Sequence, residues 1–160
     1  MSAPYAAEVE RALQAVRPSS LLAVGAAAAD VLAPFSRQGD CRYLALPAPD
    51  TKPLADQTCF DLALVSSGAD AGVKLPLLHL LAALRDRYAR HLYVALETPA
   101  RASLTHTDFM ALGMRHVANY GGDATTHALY AFNIIDYKNT PDWLNNQHWA
   151  HPELFDKFRW

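Results

Sequence analysis

Three observations in the sequence predict an α/β fold: a three-layer sandwich around a mainly parallel sheet whose last strand runs antiparallel. Short apolar runs of strand character alternate with stretches of helical spacing, the pattern of successive strand-helix-strand units. The run Phe60-Asp61-Leu62-Ala63-Leu64-Val65-Ser66 is apolar almost throughout, which suits a parallel strand covered on both faces. The link Gly121-Gly122-Asp123 between the last two apolar runs is too short for a crossover, so those two strands pair antiparallel.

The elements follow in order. Ala6, Val9, Leu13 and Val16 recur at spacings of three and four, predicting an amphipathic helix over Tyr5 to Val16 that ends before Pro18. Leu21 to Val24 reads as the first strand. Gly25 supplies the turn, and Ala26-Ala27-Ala28-Ala29-Asp30 opens a helix in which Pro34 starts late or kinks. Cys41 to Leu46 is a second strand. Pro47 to Gln57 holds three prolines and no periodicity, so it is a loop with no room for a further helix-strand unit. After the central strand, Leu77, Leu80, Leu81, Leu84 and Tyr88 mark a long helix from about Lys74 to Ala89. His91 to Glu97 is the next strand. Thr105 and Asp108 have the spacing of a helix cap, and Gly113 is a natural stop. Met114 to Ala118 and His127 to Asp136 are the closing strands.

Composition narrows the function classes. The 160 residues fit one domain, with 14 Lys plus Arg against 16 Asp plus Glu and a net charge of -2. That balance gives no overall electrostatic signature of nucleic-acid binding, and no apolar run approaches the ~20 residues of a membrane helix. The start, Met1 to Glu8, lacks the basic flank and apolar centre of a signal peptide, which predicts a cytoplasmic protein. The 2 cysteines, Cys41 and Cys59, stand at strand starts and read as reduced, buried thiols. The 7 histidines include the pair His148-Trp149-Ala150-His151, but no His-Glu-x-x-His or Cys-x-x-Cys occurs, and no metal site is expected. Residues 1–136 form the domain. Residues 137–160 form a tail that holds all 3 tryptophans, Trp143, Trp149 and Trp160, and is expected to pack on the domain or to hold a second copy or another protein.

The ordered set from Ser20 to Asp136, with the Phe60-Asp61-Leu62 run in the place of a fourth motif, resembles the class I S-adenosylmethionine-dependent methyltransferases. The chain as a whole is also similar to small uncharacterised bacterial proteins of that fold. The resemblance implies a Rossmann-like methyltransferase-type sheet from which the third strand unit is missing. It also implies a cofactor cleft at Val24, Gly25, Ala26, Leu46 and Ser66, with Ser66, Ser67 and Asp70 at the reactive end. S-adenosylmethionine is then the possible cofactor.

The departures from that family are physical. Its first loop is rich in glycine so that backbone can approach the cofactor. Here Gly25 is followed by Ala26, Ala27, Ala28 and Ala29, each adding a methyl group. Its second strand ends in a carboxylate that binds the ribose hydroxyls. Here Leu46-Pro47 stands instead, with Asp50 the nearest acid. Ser66-Ser67-Gly68 lacks the frame of a nucleophile elbow, and Asp70 can equally cap the long helix. Glu97 ends its strand at the same edge and either faces the cleft or caps the strand in solvent. The sequence thus predicts a methyltransferase-like protein, non-catalytic or altered in its ligand, acting as a binding and interaction module. The alternative is a small S-adenosylmethionine-dependent methyltransferase.

Overall fold

In the computed structural model the described residues are 3–67, 74–97, 103–121 and 126–137, with His151 and Glu153. Their sheet has six strands in the order β2-β1-β3-β4-β6-β5. The chain begins with α1 (Ala6–Val16), whose Ala6, Val9 and Leu13 are buried. It stops where Arg17 turns left-handed at φ 48° and gives its N–H to the Leu13 carbonyl at 2.8 Å, directly before Pro18. β1 (Ser20–Val24) is buried along its whole length. It lies between β2 (Arg42–Leu46) and β3 (Phe60–Ser67), parallel to both.

The chain therefore leaves β1 in one direction and returns on its other side. That reversal opens a crevice outside the strand ends. Between β1 and β2 runs α2 (Ala26–Ser36), which tolerates Pro34 near its end. Between β2 and β3 there is only the loop, tightened by a 3-10 turn at Lys52–Leu54 whose Leu54 is fully buried. The missing third strand unit is thus replaced by a proline-rich return anchored on one leucine.

Alternation along the central strands builds the two outer layers. Leu21, Ala23, Leu62 and Leu64 face α1 and α2. Leu22, Val24, Ala63 and Val65 face the other side, with Leu77, Leu80 and Leu81 of α3 (Lys74–Ala83) and Phe109 of α4 (His106–Ala111). The α4 cap is as expected: Thr105 Oγ1 accepts from the Asp108 N–H, and the Asp108 carboxylate accepts from the Thr105 N–H at 2.8 Å.

Several boundaries differ from the sequence reading. The long helix gives way at Leu84–Tyr88 to a π-helical turn, and β4 (Ala89–Glu97) starts two residues early because Ala89 already stands opposite Phe60. β5 (Arg115–Gly121) is longer than expected. β6 (Thr126–Asn133) is shorter, since the Asn133 carboxamide oxygen accepts from Ile135 N–H at 3.0 Å and starts the helical turn α5 (Ile134–Tyr137). Both thiols are free, but neither is buried: Cys41 is half-buried and Cys59 exposed, each one residue short of its strand. Among the described residues no helix is long and apolar enough to cross a membrane. The tail expectation lies outside the described residues, apart from His151, whose Nδ1 is 3.1 Å from Glu153.

Candidate functional site

The turn from β1 into α2 is a lock of three strands. Gly25 adopts φ 90°, ψ 155°, a region open essentially to glycine alone. Its N–H donates to the Leu46 carbonyl at 2.8 Å. A Cβ there would stand 2.5 Å from Ser66 Oγ and 2.6 Å from the Ser66 carbonyl oxygen. The Ser66 hydroxyl is itself engaged: it accepts from Ala28 N–H at 3.0 Å and donates to the Val24 carbonyl at 3.3 Å. Gly25 is therefore imposed by the packing of β3 against the turn.

Beside this lock, at the C-terminal ends of the parallel strands, lies a cleft of about 410 Å³. Such a volume is within the ordinary range for a small-molecule site. Its floor is Val24, Gly25, Val65 and Ser66, and Ala26 and Ala27 border it at the positive end of α2. Pro47, Ala48 and Pro49 form the wall on the β2 side. Ser67 and Leu77 border it beside β3 and α3, and Ala95 and Glu97 beside β4.

The sequence-derived residues thus fall into three groups. Val24, Gly25, Ala26, Ser66 and Ser67 come together on the cleft. Leu46 does not line it: its side chain is buried in the core beside Val24, and only its carbonyl reaches the Gly25 turn. Asp70 lies outside the described residues. Asp50 does not reach the cleft either. Its Oδ1 accepts from Lys52 N–H at 2.9 Å, and it borders a separate hollow with Leu75 and His79. Asp61, in the motif-like run, sits at the opposite end of β3. There its Oδ2 accepts from the Ser19 N–H at 2.9 Å and the Ser19 hydroxyl at 2.8 Å. Burial opposes ionisation of Asp61, but the Ser19 hydrogen bonds, with help from Ser20 and Arg90, hold its pKa below the usual carboxylate value.

Two residues that the sequence reading passed over complete the cleft. Tyr5, at the N-cap of α1, is only 1% exposed, yet its hydroxyl has no hydrogen-bond partner among the described residues. Burial, and then the negative charges of Glu97 and Asp30, push its pKa up to about 12. His127 lies with its ring centroid 5.7 Å from that of Tyr5, and its Nδ1 is likewise buried without a partner. The antiparallel register sets His127 opposite Glu97. A signal for His127 was available. An antiparallel last strand must start at the edge where the parallel strands end, so the first residue of that run belongs to the cleft. For Tyr5 the signal was weaker: an aromatic one residue ahead of the apolar stripe.

The sheet order, the crevice beside β1 and the glycine turn under it define the fold of the class I S-adenosylmethionine-dependent methyltransferases, with one strand unit absent. The chain belongs to the Family of unknown function (DUF6231), whose model matches residues 4–160. Among solved structures it is similar to the N-terminal domain of EvdMO1 with SAH bound, with a TM-score of 0.57 at 12% identity over 83% of this chain and 82% of that one. It is also similar to full EvdMO1, with a TM-score of 0.54 at 16% identity, over 79% of this chain but only 40% of that one. The human methyltransferase 10 domain containing protein gives a TM-score of 0.52 at 7% identity over 85% of this chain and 83% of that one. No curated protein sequence matches the chain.

Proposed function

We propose that this protein is a ligand-binding module on a methyltransferase fold, with a cleft altered so that S-adenosylmethionine is no longer its tight ligand. One observation carries the reading. Where the fold would offer a carboxylate to the ribose hydroxyls, β2 ends in Leu46, whose side chain is in the core, and the cleft wall continues as Pro47, Ala48 and Pro49. The nearest acid, Asp50, is engaged with Lys52 N–H. Proline side chains offer no hydrogen bond to a nucleoside, and an unpaired ribose diol in a desolvated cleft is penalised.

A second reading, a small S-adenosylmethionine-dependent methyltransferase, is favoured by the cleft itself: it keeps its volume and the Gly25 turn, and the EvdMO1 N-terminal domain holds SAH. Calorimetric titration with S-adenosylmethionine and S-adenosylhomocysteine separates the two. The module reading expects no saturable heat at about 1 mM ligand. A Kd at or below about 100 μM, or roughly -5.5 kcal/mol, overturns it in favour of the enzyme. The interaction half of the reading assigns the aromatic tail to a second copy or a protein partner. Its test is removal of residues 139–160, and an unchanged oligomeric state and melting temperature reject it.

A further inference from the structure

Resting on the reading of this cleft as a ligand site, we infer that Glu97, Tyr5 and His127 form a subsite for a protonated amine, a primary or secondary ammonium group at one end of a small ligand. The three residues come from three separate elements: the end of β4, the N-cap of α1 and the start of β6. They meet on one side of the cleft, away from the β2 wall.

Two of their polar atoms, the Tyr5 hydroxyl and His127 Nδ1, are buried with no partner among the described residues. Native interiors rarely leave such groups unpaired, and two on neighbouring rings that line one cleft mark where a ligand completes them. Glu97 decides the sign of that ligand. Among the described residues it is the one charged side chain bordering the cleft, it has no ion-pair partner, and no lysine or arginine borders the cleft with it. A carboxylate or phosphate ligand would meet uncompensated repulsion there.

An ammonium fits the donor and acceptor count. Its N–H groups donate to the Glu97 carboxylate, to the Tyr5 oxygen, and to His127 Nδ1 when the imidazole proton is on Nε2. Ala26 and Ala27 border the other part of the cleft and report on its occupancy separately.

The test uses n-butylammonium, n-butyrate and n-butanol as probes of one size and three charges. Each is titrated into the full-length protein while NMR follows the His127 and Tyr5 ring signals and the Ala26 and Ala27 amides. Saturable shifts of the two rings by n-butylammonium are expected, with a Kd on the order of 10 mM. Butyrate should bind at least about tenfold more weakly, and Glu97→Gln should weaken the amine by about the same factor. The exposed position of Glu97 keeps that variant folded. Equal response to all three probes, or an amine response unchanged in Glu97→Gln, overturns the ammonium assignment while the cleft remains a ligand site. No response at any cleft resonance overturns the subsite outright. Tight S-adenosylmethionine binding in the calorimetric test overturns the module reading and leaves the outcome of the butyl series to stand.

Discussion

Replacing Tyr5 by phenylalanine should raise the stability of the free protein. The phenol ring is fully enclosed between α1 and the sheet, and phenylalanine keeps that ring. What the substitution removes is a hydroxyl with no hydrogen bond among the described residues. A buried polar group without a partner costs about 1–3 kcal/mol relative to an apolar replacement of the same shape. For a chain of 160 residues each kcal/mol moves Tm by about 2–4 °C, so a rise of roughly 2–12 °C is expected. Alkaline pH gives an independent check. With its pKa pushed from 10.0 to about 12, Tyr5 stays protonated in the folded protein while the unfolded phenol ionises. Wild-type stability should therefore fall by up to about 3 kcal/mol as pH climbs from 10 to 12, and Tyr5→Phe should lack that share of the loss. Differential scanning calorimetry from neutral to alkaline pH measures both. An unchanged or lower Tm in Tyr5→Phe would mean that the hydroxyl is satisfied, and the argument from unpaired atoms would fail with it.

Two further predictions concern the scaffold. Gly25→Ala should cost about 3 kcal/mol or more, because it adds forbidden backbone torsion to a contact with Ser66. Adding Ser66→Ala removes only the hydroxyl part of that contact. The carbonyl oxygen at 2.6 Å remains, so urea midpoints should show Gly25→Ala nearly as harmful in the double variant, and full rescue there would refute the lock. Asp61→Asn should destabilise by about 1–2 kcal/mol at neutral pH by weakening the two Ser19 hydrogen bonds. Because the folded pKa of Asp61 is lowered, its contribution is present above the unfolded carboxylate value near 4 and disappears as pH falls through the folded one. The gap between wild type and variant in acid titrations of stability should close in that window, and a gap that persists at the acid end would contradict the assignment.

The scaffold was readable because it is written in periodicity. The near-continuous apolar run Leu62 to Val65 marks a strand covered on both faces, and the Thr105 and Asp108 spacing carries its own capping chemistry. Boundaries were readable only where a local device sets them. Pro18 ends α1 where expected, but the end of β6 depends on the Asn133 carboxamide turning back on Ile135 N–H, which no hydrophobic pattern records. The β1 side of the cleft was readable because Val24, Gly25 and Ala26 are consecutive. On its opposite side only Glu97 was placed at that edge from the sequence, and residues 5 and 127 join it only once the sheet is complete.

That division bears on what the cleft is for. A glycine surviving after β1 invites the inference that a cofactor still needs it. Here the need comes from within: Ser66 approaches so closely that no side chain fits at Gly25, whether or not a ligand is present. Retention of Gly25 therefore weighs equally for enzyme and module. Tyr5 and His127 weigh differently. Folding gains nothing from a phenol where phenylalanine would pack, nor from an imidazole nitrogen enclosed without a partner, and each lowers the stability of the empty protein. Groups that are unfavourable in the free state and border the cleft at the C-terminal ends of the parallel strands are accounted for by a bound state in which they are satisfied. The side of the cleft carrying Glu97, and not the altered nucleoside side, is where that bound state is to be sought.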